Sequence, residues 1–129
     1  MAGFRSFQEF AAWQLAYALR QAVVPLCRRA HDAHDFRLLT QVREAARSGP
    51  RNIAEGFGRY GPREFAQFVR IARGSEVELL NHFQEAFDSG YLTDAERADL
   101  EHAAKKAIKA ANGLVRYLES CPAKNPKNT

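Results

Sequence analysis

The sequence has few of the residues that build cross-linked or membrane-embedded proteins. Its 129 residues include only two cysteines, Cys27 and Cys121, which indicate no disulfide framework, and we expect both to be reduced thiols. No run of about 18 apolar residues occurs, so the sequence predicts no membrane-spanning helix. The N-terminal residues MAGFRSFQEF lack the apolar block of a secretory signal. We therefore expect a cytoplasmic protein without a membrane partner.

The sequence also lacks the residue patterns of common catalytic and cofactor sites. It has no glycine-rich phosphate loop after a strand, because no convincing strand is present. No cysteine or serine stands in a recognisable nucleophile setting with a histidine and an acid. A di-iron bundle needs two Glu-x-x-His motifs, whereas this chain offers Asp99-x-x-His102 and a histidine, His82, four residues after Glu78. We expect no enzyme activity, no cofactor and no metal.

Apolar residues at helical spacing are abundant. They make up 46% of the chain and include nine phenylalanines, enough for a single domain over residues 1–129 to bury one core. The spacing predicts four helices over about residues 7–29, 36–58, 62–88 and 94–120, followed by a flexible tail over 121–129. This pattern is typical of an all-α four-helix bundle.

Polar residues mark several of the predicted helix ends. Ser6 with Glu9, and Thr93 with Glu96, have the spacing of capping boxes, in which side chains satisfy the free backbone N–H groups of a helix start. Pro25 removes one backbone donor inside the first predicted helix. We expect Pro25 to kink that helix or to end it early.

The Gly49-Pro50 pair lies in the middle of the second predicted helix, where it would normally indicate a break. The apolar positions nevertheless keep spacings of three and four residues across the pair. A turn would reset that phase, so we predict one continuous, kinked helix. The positions that keep the phase are Val42, Ala46, Gly49, Ile53 and Phe57.

Positive charge is concentrated in one part of the chain. From Arg37 to Arg73 eight arginines stand against three glutamates, an excess of five charges, although the whole chain carries only +4. Such an excess is what an anion-binding face needs, and a solvated helical surface is the alternative. We predict that phosphate contacts come from Arg43, Arg47, Arg51, Arg59, Arg63 and Arg70. Base stacking is not predicted, because the aromatic residues lie mostly on core faces.

The third predicted helix has small residues at its midpoint. Gly74 and Ser75 allow another backbone to approach closely, and a neighbouring helix is the expected occupant. Glu76 falls on the apolar face by helical phase. If it is buried, its carboxyl group needs a partner such as an arginine, or it stays protonated. Glu76 is therefore a candidate for a subunit contact.

Several motifs together carry a resemblance over about residues 7 to 118. They include Phe7…Trp13-Gln14, Gln41-x-Arg43, Ser48-x-Pro50-x-Asn52-Ile53-Ala54-Glu55-Gly56-Phe57-Gly58-Arg59, Glu64-Phe65…Phe68 and Ile71-Ala72-Arg73-Gly74-Ser75-x-x-Glu78-Leu79. In these motifs the chain resembles the four-helix-bundle proteins encoded in intervening sequences of bacterial 23S rRNA genes. That family includes the accessory variability protein of diversity-generating retroelements.

The resemblance implies an up-down-up-down antiparallel bundle that assembles as a ring-like homopentamer with a basic surface. Retroelement members are thought to bind nucleic acid and a reverse transcriptase. For most residues that match the motif, it implies structural or subunit-contact roles, because polar groups at such positions must find partners. These residues are Asn52, Glu55, Gly56, Arg73, Gly74, Ser75 and Glu78.

The chain departs from the family pattern at five positions. Glu44 stands where the family is usually basic, and Arg47 and Arg51 where it is usually small or apolar. Gly49 replaces a usually aliphatic residue, and Glu76 a usually apolar one. The concentration of arginines is thus partly a feature of this chain alone.

We therefore expect a non-catalytic, oligomeric four-helix bundle that binds nucleic acid through phosphate contacts. The alternative is a protein–protein scaffold or assembly module without a nucleic-acid ligand. The expected partners are accordingly further copies of the chain itself, RNA or DNA, or another protein.

Overall fold

The computed structural model describes residues 3–59 and 61–122, and within these ranges every regular element is helical. A 3₁₀ turn over Phe7–Glu9 precedes the α-helices, whose bounds are α1 Ala11–Ala22, α2 Val24–Asp32, α3 Phe36–Phe57, α4 Pro62–Asp88 and α5 Asp94–Ser120. Because α1 and α2 follow each other as one interrupted rod, the helices form four rods. The predicted all-α four-helix bundle is confirmed. Most of the predicted tail, residues 123–129, lies outside the described residues.

The first rod is interrupted, unlike the single helix predicted over 7–29. α1 ends at Ala22 and α2 begins at Val24, while Val23 between them keeps helical φ and ψ angles of −83° and −7°. Pro25 lies in the first turn of α2, where its missing N–H costs no hydrogen bond. Pro25 therefore accompanies an interruption of the rod just before it, at Val23.

α3 runs without a break through Gly49 and Pro50, which confirms the continuity predicted from its apolar phase. Pro50 cannot donate to the carbonyl four residues earlier. Polar side chains reinforce the adjacent turn. Nδ2 of Asn52 donates to the carbonyl oxygen of Ser48 at 2.8 Å and to its Oγ at 2.9 Å, and Oγ of Ser75 on α4 donates to the same Oγ at 2.7 Å.

The other helix ends follow the predicted chemistry. Gly61 precedes α4 with a φ of +104°, a conformation that favours glycine, and Pro62 is the first helical residue. Thr93 and Glu96 form the predicted capping box: Oγ1 of Thr93 accepts from the Glu96 N–H at 3.1 Å, and the Glu96 carboxylate accepts from the Thr93 N–H at 2.9 Å.

The rods pack antiparallel around two apolar clusters. The first rod and α4 each pack against α3 and α5, so they occupy opposite corners of the bundle. One cluster joins the end of the first rod to the start of α3, the end of α4 and the start of α5. The other joins the start of α1 to the second half of α3, the start of α4 and the end of α5. This arrangement is the up-down-up-down topology.

Glu76 lies inside the chain's own core. Only 1% of its surface is exposed, and neither carboxyl oxygen has a hydrogen-bond partner among the residues that the structure describes. A β-carbon at position 49 would lie 3.4 Å from Oε2 of Glu76, so Gly49 provides room for the carboxyl group. Burial raises the pKa of Glu76 from 4.5 to about 8. Of the two expected alternatives, the structure supports the protonated carboxyl.

The raised pKa of Glu76 predicts that the free energy of unfolding decreases as pH rises. Between about pH 4.5 and pH 8 the unfolded chain releases this proton and the folded chain retains it, so unfolding becomes easier by up to about 1.4 kcal/mol per pH unit. Glu76→Gln removes the titration while keeping the shape. Urea unfolding at several pH values checks this: the variant should gain stability over the wild type from pH 5 to pH 8, and parallel pH profiles would contradict it.

Candidate anion-binding groove

A groove of about 500 Å³ lies between the first rod and α3. Its apolar residues include Val23, Leu39 and Ala46, all of which are buried. Its polar lining is dominated by guanidinium groups, with Asp32 as the one carboxylate among the lining residues. The four arginines that line it are Arg20, Arg28, Arg43 and Arg47. The groove therefore combines an apolar floor with a strongly basic rim.

Helical spacing explains why these side chains meet. Arg20, Val24 and Arg28 follow one another every four residues along the first rod, because Val23 keeps a helical backbone where α1 passes into α2. Arg43 and Arg47 lie one turn apart on α3, which packs directly against this rod. Two basic stretches on neighbouring rods thus face the same groove.

The four groove arginines form no salt bridge with any described acidic side chain. The one lining carboxylate, Asp32, lies 3.5 Å from Nδ1 of His31 instead. Arg29 illustrates the contrast, since it lines no part of the groove and its Nη2 lies 2.6 Å from a carboxylate oxygen of Glu96. Unpaired guanidinium groups that converge on one groove create a positive potential there, which attracts anions.

Cys27 lies half-buried in the same groove. Burial raises the pKa of its thiol, while the positive charges of Arg43 and Arg47 act in the opposite direction. The positive charges of both guanidinium groups therefore reach the Cys27 thiol and favour its thiolate form. Cys27 and Cys121 are both free, as expected.

The structure brings only two of the six predicted arginines into the groove, namely Arg43 and Arg47. Arg59 pairs with Glu55 at 2.8 Å and lies 5.1 Å from the ring centre of Phe68 on α4. An ideal α-helix advances about 40° beyond a full turn over four residues, so positions spaced four apart gradually rotate around it. The expected row along α3 therefore winds from one groove towards the next.

The remaining predicted arginines lie elsewhere on the surface. Arg70 pairs with Glu119 and so faces the side of α4 that packs on α5. Arg51 and Arg63 are exposed. The six residues thus do not form a single basic face within one chain.

Sequence reasoning missed Arg20 and Arg28. Both lie outside the stretch from residue 37 to residue 73 in which the charge excess was counted. Their spacing of eight residues, with Val24 between them, was the available signal. Pairing that signal with Arg43 and Arg47 requires knowing which face of the first rod packs on α3.

A stack of three side chains, of which Tyr17 is exposed and Trp13 and Arg20 are half-buried, continues from the groove along α1. The rings of Trp13 and Tyr17 lie 4.9 Å apart with an angle of 18° between their planes, and the Arg20 guanidinium carbon lies 5.7 Å from the centre of the Tyr17 ring. Tyr17 is 38% exposed. Among the described aromatic residues Phe10, Phe65 and Phe83 are buried in the core, Trp13 packs against the second cluster, and Tyr17 reaches the surface beside the groove.

Most of the residues expected to have structural roles make contacts inside the chain. A β-carbon at Gly56 would come within 2.7 Å of the side chains of Phe65 and Phe68, so glycine permits the close packing of α3 on α4. Nη1 of Arg73 donates to Oδ1 of Asn112 on α5 at 2.9 Å. Ser75 joins α4 to Ser48 on α3, and Asn52 bonds to the same serine from within α3. These contacts hold the rods in register.

The outer surface of α4 carries the remaining members of that set. A β-carbon at Gly74 would meet nothing within 4 Å, so this glycine faces away from the chain's other rods. Ile71 and Val77, three residues to either side, are 52% and 49% exposed, and Glu78 is also exposed. This surface, defined by Ile71, Gly74 and Val77, is called the α4 outer face below.

Two further observations limit the chemistry of the described residues, 3–59 and 61–122. No three histidine, cysteine, aspartate or glutamate side chains in these ranges lie close enough together to hold a metal ion. None of the helices in these ranges combines the length and apolar character that crossing a membrane requires.

Comparison with known proteins gives one family match. A search of the curated proteins finds no match. The family model for the 23S rRNA-intervening sequence protein matches residues 8–113, which is most of the chain and spans all four rods. The chain therefore belongs to the 23S rRNA-intervening sequence protein family.

Proposed function

We propose that this protein is a non-catalytic, oligomeric bundle that binds nucleic acid through phosphate contacts centred on the groove between the first rod and α3. The observation that carries the proposal is the convergence of four arginines that lack acidic partners among the described side chains. Guanidinium groups bind phosphate oxygens in two-pronged fashion. Each contact also releases counterions from the nucleic acid, which favours binding at low salt.

Self-association would increase the affinity of such a modest site. Several copies of the groove in one symmetric assembly engage one polyanion together, so that later contacts form at a high effective concentration. The α4 outer face supports this part of the proposal, because Ile71 and Val77 expose apolar surface around a glycine that permits close approach. We propose five copies, the number that the family resemblance implies, in the cytoplasm.

A scaffold that binds another protein is the second candidate function. The α4 outer face favours it as well, since an exposed apolar surface at a small residue suits any helical partner. The two candidates differ in their response to salt, because phosphate contacts weaken steeply with ionic strength and apolar contacts do not.

Binding to structured RNA and to duplex DNA across a salt series tests the primary proposal. Arg43→Ala combined with Arg47→Ala should reduce affinity at low salt by about tenfold or more and should make the logarithmic salt slope shallower by about 1.8 for a duplex, because two phosphate contacts are lost. Fluorescence anisotropy of labelled nucleic acid measures both quantities.

The matched control removes two exposed lysines of α5, with Lys105→Ala and Lys109→Ala. This control loses the same charge and should bind with nearly wild-type affinity. The proposal fails if the wild type does not bind at low salt, or if the two double variants weaken binding equally.

Substitution at Gly74 tests self-association. Gly74→Gln should leave the isolated fold intact, because the space around this position is open, but it should block the close approach of a second copy. Gly74→Ala adds only a methyl group and should retain more of the assembly. Sedimentation velocity should show a shift to smaller species in the order wild type, Ala, Gln. An unchanged distribution for Gly74→Gln would place the subunit contact elsewhere.

A further inference from the structure

We infer that the groove and the adjoining Trp13–Tyr17 stack form a site for single-stranded nucleic acid, in which a base replaces the Arg20 guanidinium over the Tyr17 ring and phosphates bind the arginines. This inference rests on the proposed function and specifies its ligand. It assigns a role to Tyr17 that phosphate binding alone does not require.

The aromatic stack and the groove form one continuous surface. Trp13, Tyr17, Gln21 and Val24 recur every three or four residues along the first rod and therefore lie on one face of it. Gln21 and Val24 line the groove. Arg20, which lies beside the Tyr17 ring, lines the groove as well. A strand that leaves the groove along α1 thus meets Tyr17 next.

The next arginine of α3 lies level with the aromatic pair along the bundle axis. α1 and α3 run antiparallel, and a β-carbon at Gly49 would lie 3.5 Å from that of Ala16, so these two positions are level. Arg51, one turn beyond Arg47, is therefore level with the part of α1 between Trp13 and Tyr17. Arg51 therefore places a further exposed positive charge at this level, on a face of α3 that is rotated about 40° from that of Arg47.

The chemistry of this surface suits unpaired nucleotides better than a duplex. A groove of about 500 Å³ with an apolar floor is large enough for one or two nucleotides. A duplex presents phosphates on its outside and keeps its bases stacked inside, so it would leave Tyr17 and the apolar floor without partners. Base–aromatic stacking next to a basic groove is the usual means of binding single strands without sequence preference.

Binding measurements on three probes with the same number of phosphates per strand test this inference. They are a single-stranded oligonucleotide of about 12 residues, its abasic counterpart and the corresponding blunt duplex. Trp13 is the only tryptophan, so its fluorescence reports directly on bases that stack at this site. The wild type should bind the single strand about tenfold more tightly than the abasic strand, with quenching of Trp13 by the single strand alone.

Variants of Tyr17 separate stacking from charge. Tyr17→Leu should remove most of the preference for the single strand over the abasic strand while leaving abasic binding unchanged. Tyr17→Phe, which retains the ring, should retain the preference. Tyr117 on α5 is exposed to a similar degree, at 45%, so Tyr117→Leu is the matched control and should behave as the wild type.

The outcomes distinguish this inference from the function on which it rests. If no probe binds at low salt, the proposed function fails as well. If the single strand and the abasic strand bind equally, if the duplex binds best, or if Tyr117→Leu lowers the preference as much as Tyr17→Leu, the inference is overturned and phosphate binding stands.

Discussion

The continuity of α3 across Gly49 and Pro50 is the constraint on which the rest of the structure depends. It keeps Leu39 and Ala46, on one side of the pair, in the same helical phase as Ile53 on the other, so one rod serves both core clusters. It also fixes which arginines face the first rod. The hydrogen bond from Ser75 to Ser48 ties this region to α4, and the bond from Asn52 to Ser48 reinforces it within α3.

In the middle of the bundle, a position without a side chain makes room for a buried carboxyl group. Gly49 contributes no side chain, and the Glu76 carboxyl group occupies the room that is left. A buried neutral carboxyl without a hydrogen-bond partner is costly, and a longer side chain at position 49 would collide with it. Gly49 and Glu76 are therefore linked by direct proximity. They affect the stability of the interior and lie away from the groove surface.

The sequence predicts α3, α4 and α5, but neither the position at which the first rod is interrupted nor the groove, for physical reasons. Helical phase and end signals such as Thr93–Glu96 and Gly61-Pro62 are local, so they predict where α3, α4 and α5 begin and end. The groove is not local: it forms where two rods separated by a turn present arginines to each other, and charge counted along the chain does not reveal that. Charge counted along the chain likewise does not reveal which arginines are already paired. Arg59 pairs with Glu55 one turn earlier on α3, and Arg70 pairs with Glu119 on the neighbouring helix α5.

The central claim is that the groove arginines are unpaired and available to phosphate, whereas Arg59 and Arg70 on other faces are paired with carboxylates. NMR of the arginine Nε–Hε groups measures this directly as single-stranded RNA is added at low salt. The account predicts that the signals of Arg20, Arg28, Arg43 and Arg47 shift and slow their exchange with solvent, while those of Arg59 and Arg70 change little. Uniform small shifts over all arginines, or changes confined to Arg59 and Arg70, would contradict the account.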